Sequence, residues 1–450
     1  MKIDVTLDYQ TILRNEARPV HLVTKLTAPK LTTPDRPRPV AFAVVLDRSG
    51  SMTGEPLELA KQACAGIARN LRPDDFFSVI VFDDAAQVVI PLQKPADRQG
   101  MADSIGRVSP GGSTNLMAGW LLGRDELLKA GQDCEKKILL LTDGHLNQGI
   151  IEPENVEALT RSGFSKGAIR TSCLGFGDDY NEVVLATMSS VGNGQLHDAD
   201  SPEKFPIILA HELDGLQKIT AQNVRLRVEP KLFCHSWMQF SDYPAIKLPD
   251  GRVEIAVGDL VSEEDRYLVL LTEVLPLPLL PDGTLPASLE GEELLGLEFV
   301  WTEIGDTEIK GCTSTHLVRI RGTQNADDVV LNQEVIAVIA NQIAGKAMRE
   351  ATDQARKGDI DDSLRSISLA CATIQSFAAA ELTTEASELL DEGRQTIASR
   401  KLSSRDLKDF VYESRHYART SSHALYTGSR KKSKLARKPS AQEQHQQPEQ

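Results

Sequence analysis

Apolar runs alternate with amphipathic stretches through much of the first half of the chain. Phe76 to Phe82, Lys136 to Thr142 and Ala168 to Phe176 are predicted to be β-strands, several of them buried. Between such runs, Pro56 to Leu71 and Leu116 to Lys129 carry apolar residues at helical spacing. Strands that alternate with helices predict an α/β fold, with a doubly wound, mostly parallel sheet of the Rossmann-like type covered by helices on both faces.

Segments with a β-type pattern flank this region, and no helical pattern separates them. Lys2 to Tyr9 and Arg18 to Leu26 precede it, and five strand-like segments follow between residues 223 and 321. The economical interpretation is one β-sandwich built from both flanks, with the α/β domain inserted into it. The N-terminal strands could also pack elsewhere. Pro276 to Gly291 contains four prolines and is predicted to be a long loop between strands.

The pattern changes to helical spacing from Asp327 onward. Val330 to Lys357, Ile360 to Ala379 and Thr384 to Ser399 are the predicted helices, and Gly358-Asp359 breaks the first pair. The break resembles the turn of a tetratricopeptide-like hairpin, but no repeat supports an array. We therefore expect a small three-helix cap packed on the sandwich.

These changes divide the chain into five parts. They are an N-terminal β segment that joins the sandwich (1–37), the α/β domain (38–220), the rest of the β-sandwich (221–325), a helical domain (326–400) and a C-terminal tail (401–450). Beyond about Ser429 the composition predicts disorder, with a cluster of basic residues that is expected to be solvated rather than to tether an acidic partner: Arg430, Lys431, Lys432, Lys434, Arg437 and Lys438.

Three polar segments lie where candidate chemistry is expected. Asp47-Arg48-Ser49-Gly50-Ser51 ends an apolar run, Thr114 lies in a Gly-Gly-Ser-Thr-Asn segment, and Asp143 ends a second apolar run. In a doubly wound sheet, ligands bind at the carboxyl ends of the strands, where Asp47 and Asp143 are predicted to lie. Short oxygen ligands suit a hard cation such as Mg²⁺. Taken alone, Asp-x-Ser-x-Ser is also typical of a capped strand-to-helix turn.

The ordered set of Asp-x-Ser-x-Ser, Thr and Asp resembles the metal-ion-dependent adhesion site of von Willebrand factor type A domains, of the bacterial cytoplasmic type. The resemblance implies that Ser49, Ser51 and Thr114 ligate Mg²⁺ (or Mn²⁺), with Asp47 and Asp143 bound directly or through water. Neutral hydroxyl ligands leave the ion electron-poor, so it should accept an Asp or Glu carboxylate from a partner protein. The expected function is that of a protein-binding adaptor or scaffold.

Two alternatives remain open at this point. The metal could serve only to stabilise the loops while the helical segment recruits partners, or the chain could be a regulatory subunit of a separate ATPase or enzyme. The chain itself is not expected to be an enzyme, because a Walker A loop and a Gly-x-Ser-x-Gly nucleophile elbow are missing from the sequence. His211-Glu212 begins like a zinc-protease helix but lacks the second histidine.

Composition limits the class of partner and the location. A net charge of −14 disfavours nucleic acid as a partner of the folded body. The first residues lack the apolar region of a signal peptide, and no apolar stretch approaches the length of a membrane span. The six cysteines are scattered without a Cys-x-x-Cys pair, which favours reduced thiols. These features predict a cytoplasmic protein.

Overall fold

The computed structural model describes residues 1–31, 38–131, 133–144, 148–177, 179–199, 201–277, 291–304, 309–399 and 403–418. The tail beyond residue 429, for which we predict disorder, lies outside these ranges, as does most of the predicted loop from Pro276 to Gly291.

Three strands open the chain, and an α/β domain follows them. The opening strands are β1 (Lys2–Leu7), β2 (Thr11–Leu13) and β3 (Arg18–Thr27). The elements of the α/β domain are β4 (Val40–Asp47), α1 (Glu55–Asn70), β5 (Phe76–Phe82), β6 (Ala86–Gln93), α2 (Arg98–Gly106), α3 (Leu116–Leu127), β7 (Glu135–Thr142), α4 (Pro153–Gly167), β8 (Ile169–Phe176), α5 (Glu182–Val191), β9 (Leu196–Ala199) and α6 (Phe205–Gln217).

The six strands of this domain form one sheet in the order β6-β5-β4-β7-β8-β9. All neighbouring pairs are parallel except β5 and β6, which are joined by a tight connection and run antiparallel. From β4 the chain passes to β5 on one side and later to β7 on the other. Strand order therefore reverses between β4 and β7, which is where a doubly wound sheet binds ligands at its carboxyl edge. The predicted fold class is confirmed.

The central strand β4 explains why this sheet is covered on both faces. Every residue from Val40 to Asp47 is buried. Phe42 and Val44 pack with α1, α2 and α6, whereas Ala43 and Val45 pack with α3, α4 and α5. Alternate side chains of a strand point to opposite faces, so an apolar run without polar alternation requires a helical layer on each side.

Two further sheets face each other across a separate apolar core. Their remaining strands are β10 (Ile219–Pro230), β11 (Cys234–Gln239), β12 (Ala245–Lys247), β13 (Val253–Val261), β14 (Asp265–Val274), β15 (Glu292–Ile304) and β16 (Ile309–Thr323). One sheet has the order β1-β3-β14-β11, and the other has the order β12-β13-β10-β15-β16-β2. Strand β3 pairs with β14 over their whole lengths, from Thr27 opposite Asp265 to Arg18 opposite Val274. Strands from both flanks of the α/β domain thus share one sandwich.

Four helices complete the described chain: α7 (Ile336–Arg356), α8 (Ile360–Ser376), α9 (Ala380–Ala398) and α10 (Ser404–Ala418). The first three correspond to the predicted helices, and the break at Gly358-Asp359 lies between α7 and α8. Ile339 and Met348 of α7 pack in one cluster with Val23 of β3 and Val269 of β14, so the cap lies on the sandwich. Helix α10 was not predicted, because we assigned residues 401–450 to a tail.

The structure corrects one predicted strand. The pattern from Gly192 to His197 predicts the last strand of the α/β domain, but the strand is Leu196–Ala199. Gly192 to Gly194 instead close helix α5, with the Gly194 N–H donating to the Ser189 carbonyl at 2.8 Å and Asn193 in the left-handed region at φ 53°. Strands β11 and β12 and helix α2 also had no predicted counterpart. Among the described helices, none is long and apolar enough to cross a membrane.

Candidate metal centre

Three loops meet at the carboxyl edge of the sheet, beside the point where strand order reverses. They follow β4, precede α3 and follow β7. Backbone hydrogen bonds hold the first two loops together, with Gly50 N donating to Gly112 O at 3.0 Å and Gly111 N donating to Arg48 O at 2.7 Å. The first loop is also tied to β5, because Arg48 N donates to Phe82 O at 2.9 Å. The loop positions are therefore set by the sheet and by each other.

Asp47 is the deepest of the predicted ligands and is wholly buried. Its Oδ1 accepts a hydrogen bond from Ser49 N at 2.8 Å, and its Oδ2 accepts one from Thr142 Oγ1 at 2.5 Å. Burial raises the pKa of this carboxyl above its ordinary value, although the bonds from Thr142 and Ser49 act in the opposite direction. Strand ends thus fix the Asp47 carboxylate in one orientation at the base of the site.

Asp143 reaches the same point from the end of the neighbouring strand β7. Its Oδ1 accepts a hydrogen bond from Ser51 Oγ at 2.8 Å, and Ser51 Oγ lies 3.2 Å from Ser49 Oγ. Burial raises the pKa of Asp143 to about 6; the hydrogen bond from Ser51 lowers it, and the charges of Asp47 and Asp179 raise it further. Two carboxylates and two hydroxyls therefore converge, and each carboxylate is costly to ionise without a compensating positive charge.

Thr114 places a third hydroxyl beside them. A Cβ atom added to Gly144 would lie 3.1 Å from Thr114 Oγ1 and 3.8 Å from Asp47 Oδ2. The Thr114 hydroxyl therefore faces the turn that follows Asp143, on the side of Asp47. The structure brings all five predicted residues to one edge of the sheet. Ser51 alone among them is exposed, so the site opens to solvent on its side.

The donor set fits a small hard cation. Each side chain offers oxygen, two of them as carboxylates, and oxygen is the ligand that Mg²⁺ prefers. Nitrogen and sulfur ligands are not part of the cluster, and no group of three or more His, Cys, Asp or Glu side chains suited to a metal ion occurs among the residues that the structure describes. Asp47, Ser49, Ser51, Thr114 and Asp143 are the residues that would hold Mg²⁺ or Mn²⁺ here.

A family model of the von Willebrand factor type A domain matches residues 42–210. This match covers the strands and loops that carry all five residues. Residues 42–210 are a von Willebrand factor type A domain.

Relatives of known sequence match between one third and just over half of the chain. The chain is 31% identical over 271 residues to the uncharacterized protein sll0103 of Synechocystis sp., a match that covers 55% of this chain and 61% of that protein. It is 31% identical over 161 residues to inter-alpha-trypsin inhibitor heavy chain H1 of Bos taurus, covering 34% of this chain and 18% of that one. The chain therefore spans less than two thirds of the length of either relative.

A solved structure resembles nearly the whole chain. The von Willebrand factor type A protein from Catenulispora acidiphila aligns with a TM-score of 0.68 at 17% sequence identity, covering 92% of this chain and 96% of that one. At this identity the similarity shows the fold alone. It extends the shared fold from the von Willebrand A domain to the sandwich and the helices around it.

The sequence pattern does not single out Thr142, whereas Arg48 and Asn115 are candidates for the rim of the site because they flank the motif residues. Thr142 orients Asp47, as described above. Arg48 forms an ion pair with Asp83 at 3.0 Å between Nη2 and Oδ2, so its charge is not directed at the site. Asn115 caps helix α3 by accepting a hydrogen bond from Ala118 N at 3.2 Å. Thr142 directly precedes Asp143 in the sequence, and this adjacency is the only sequence signal for its role.

Proposed function

We propose that this protein binds a partner protein through a divalent cation, Mg²⁺ or Mn²⁺, held by Asp47, Ser49, Ser51, Thr114 and Asp143. The observation that carries the proposal is the convergence of two carboxylates and three hydroxyls at the carboxyl edge of the sheet. The residues that would bind the ion come from three loops, of which the first two are joined by backbone hydrogen bonds and the third by the bond from Ser51 Oγ to Asp143. The proposal assigns no catalytic residue.

The chemistry of the donor set favours an external carboxylate as the remaining ligand. Mg²⁺ demands near-octahedral oxygen coordination and is usually bound by few protein carboxylates. Hydroxyls contribute no formal charge, and Asp47 is engaged in two hydrogen bonds within the protein. A carboxylate supplied by a partner would complete the coordination at the exposed Ser51 side. We therefore infer that the partner presents an Asp or Glu, and we expect capture to take place in the cytoplasm.

A second candidate function places recruitment on the helical cap. Leu369 of α8 is 70% exposed, and Leu382 of α9 is 40% exposed. Large apolar side chains at the surface of a helix can serve as contact points for a partner. In this case the cation would serve only to stabilise the loops of the von Willebrand A domain, and capture would not depend on it.

Replacing Thr114 by alanine separates the two candidates. The change removes one hydroxyl from the donor set and leaves the sheet intact, so folding should survive. We expect partner capture in Mg²⁺ to fall by about tenfold or more, because one ligand of the ion is lost. The measurement is a pull-down from cytoplasmic extract with wild type, Thr114→Ala and Ser113→Ala, each in Mg²⁺ and in EDTA.

Ser113→Ala is the matched control, since the Ser113 hydroxyl bonds to Asp84 rather than to the donor set. It should capture the partner as wild type does. Capture at wild-type strength by Thr114→Ala and in EDTA would instead favour the helical cap.

Once a partner is known, an Asn or Gln substitution of the single essential carboxylate on that partner should lower its affinity for this protein, because removing one member of a buried charge pair costs about 2–5 kcal/mol.

The pKa of Asp143 predicts how metal binding depends on pH. A proton and a cation compete for the same carboxylate, and the raised pKa of about 6 places this competition close to neutral pH. We expect the affinity for Mg²⁺ to be constant above this pKa and to fall by about tenfold for each pH unit below it. Calorimetric titration between pH 5 and pH 8 would measure this. In Asp143→Asn the remaining affinity should lose this dependence, and an unchanged profile would contradict the assignment of Asp143.

A further inference from the structure

Helix α10 lies against the carboxyl edge of the von Willebrand A domain, although it is far from that domain in sequence. Its Arg405 forms a two-pronged ion pair with Asp198 of β9, at 3.2 Å from Nη1 to Oδ1 and 2.5 Å from Nη2 to Oδ2. The Asp198 side chain is only 2% exposed. Arg405 Nη1 also donates to the carbonyl of Gly177 at 3.5 Å. A planar guanidinium that grips a buried carboxylate in this way fixes direction as well as distance.

Helix α10 also contacts Tyr180, which follows β8, through the side chain of Lys408. Tyr180 donates its hydroxyl to Asp198 Oδ1 at 2.6 Å, so Asp198 joins Arg405 and Tyr180. Lys408 Nζ lies 3.9 Å from the centre of the Tyr180 ring, within the range of a cation–π contact. The ring packs so closely on Gly175 that a Cβ atom there would lie 2.4 Å from Tyr180 Cε2.

These contacts converge on the segment from Gly177 to Asn181, which we call the β8–α5 loop. Position 178 within it lies outside the described residues. Strand β8 is parallel to β7, and Gly175 stands opposite Thr142, which precedes the ligand Asp143 and orients the ligand Asp47. Asp179 of the loop is near enough to Asp143 for its charge to act on that carboxyl. The loop thus borders the metal centre without supplying a predicted ligand.

We propose that Arg405 is a positioning residue of the metal centre, which fixes the β8–α5 loop through Asp198 and Gly177 and thereby sets the affinity of the site for its cation. This inference rests on the proposed function. Helix α10 then contributes to metal binding, because the contacts of Arg405 with the domain determine the position of the Asp179 carboxylate relative to the ion. A partner or modification that detached α10 would change metal affinity from outside the site.

The chain offers a matched control on the same helix. Arg415 donates to the Ala186 carbonyl at 3.0 Å and lies 3.6 Å from Asp242 of the sandwich region, away from the loop. Arg415→Ala removes contacts of α10 with Ala186 and Asp242 and leaves the ion pair of Arg405 with Asp198 in place. Arg405→Lys keeps the charge but loses the planar fork, and Tyr180→Phe removes only the second hydrogen bond to Asp198.

The experiment compares wild type, Arg405→Ala, Arg405→Lys, Tyr180→Phe and Arg415→Ala as full chains. It measures the Kd for Mg²⁺ by calorimetry, amide hydrogen exchange in residues 177–181, and the thermal midpoint. We expect Arg405→Ala to raise the Kd by about threefold or more and to speed exchange in the loop. Arg415→Ala should lower the thermal midpoint about as much as Arg405→Ala does, but it should leave the Kd and the exchange rate at wild-type values. For Arg405→Lys and Tyr180→Phe, the Kd and the exchange rate should lie between those of wild type and Arg405→Ala.

The outcomes separate the two proposals. An unchanged Kd in Arg405→Ala, or equal changes in Arg405→Ala and Arg415→Ala, would overturn the positioning role and leave the metal site in place. Failure of wild type to bind Mg²⁺ at all would overturn the proposed function, and the inference with it. Faster exchange in the loop without a change in Kd would show that Arg405 orders the loop but does not act on the site.

Discussion

Asp47→Asn should weaken Mg²⁺ binding by about a hundredfold, the largest effect expected from a single substitution at the site. The change keeps the shape of the side chain and its acceptor for Ser49 N, but it removes one of the two negative charges in the donor set. The neighbouring Asp143 alone would then offset the charge of the ion. Titration of EDTA-stripped protein by calorimetry would measure the loss.

The wild-type protein should bind one ion per chain in the same experiment. Mg²⁺ and Mn²⁺ should bind more tightly than Ca²⁺, because compact hydroxyl ligands favour a small octahedral ion. Asp84→Asn is the control, since Asp84 is an exposed carboxylate that accepts from Ser113 N at 2.9 Å and is not in the donor set. Equal affinities of wild type and Asp47→Asn, or no binding by wild type at millimolar concentration, would remove the basis of the proposed function.

Lys137→Met should destabilise the von Willebrand A domain more than any surface change. Lys137 of β7 pairs with Glu212 of α6 at 2.5 Å, and their side chains are 10% and 1% exposed. The other carboxylate oxygen of Glu212 lies 2.5 Å from His197 Nε2. Removing Lys137 leaves the buried Glu212 carboxylate beside His197 without its ammonium partner. Breaking such a pair typically costs about 3–5 kcal/mol, which denaturant unfolding would detect.

The double variant Lys137→Met/Glu212→Leu tests the cause. It removes both charges and should recover most of the lost stability, because an apolar pair of similar size does not pay for burying charge. If the double variant is as unstable as Lys137→Met, lost packing rather than an unpaired charge is responsible.

The pH dependence of the free energy of unfolding is a second test of the interaction of Glu212 with Lys137 and His197. Burial alone would raise the pKa of Glu212, but Lys137 and His197 outweigh it and lower that pKa below its ordinary value of 4.5. A carboxylate with a lowered pKa adds stability above its unfolded pKa, and this stability is lost as the pH falls from there toward the folded pKa. Wild type should therefore lose stability below about pH 4.5 more steeply than the double variant.

The elements that can be predicted from the sequence are those whose local pattern of apolar and polar residues reflects their place in the fold. The uninterrupted apolar run ending at Asp47 requires a strand buried on both faces, and the motif residues lie at strand ends where the fold places ligands. The bond between Thr142 and Asp47 joins residues 95 positions apart, and the pair of Arg405 and Asp198 spans 207 positions. Contacts between residues so far apart produce no periodic pattern in the sequence. They become visible only when the sheet and the cap are assembled.

Helix α10 shows why a helix within residues 401–418 is not apparent from the sequence pattern. The segment Ser404 to Ala418 is rich in charged residues, so its polarity resembles that of the tail that follows it. Its stability comes from tertiary contacts, including the buried Phe410 and the bond from Arg349 to the carbonyl of Ser414. Most helices in proteins are stabilised in this way rather than by their own propensity.

The insertion of one domain within the sandwich has a consequence for the order in which the protein is made. Strand β3 is synthesised early, yet its partner β14 begins 238 residues after Thr27. By then the whole α/β domain has left the ribosome and can complete its core. Until then, the edge of β3 that pairs with β14 has no partner strand, and Val20 and Leu22 of β3, which are fully buried in the finished protein, lack their final packing. The risk of aggregation through this edge should therefore last from the emergence of β3 until β14 arrives.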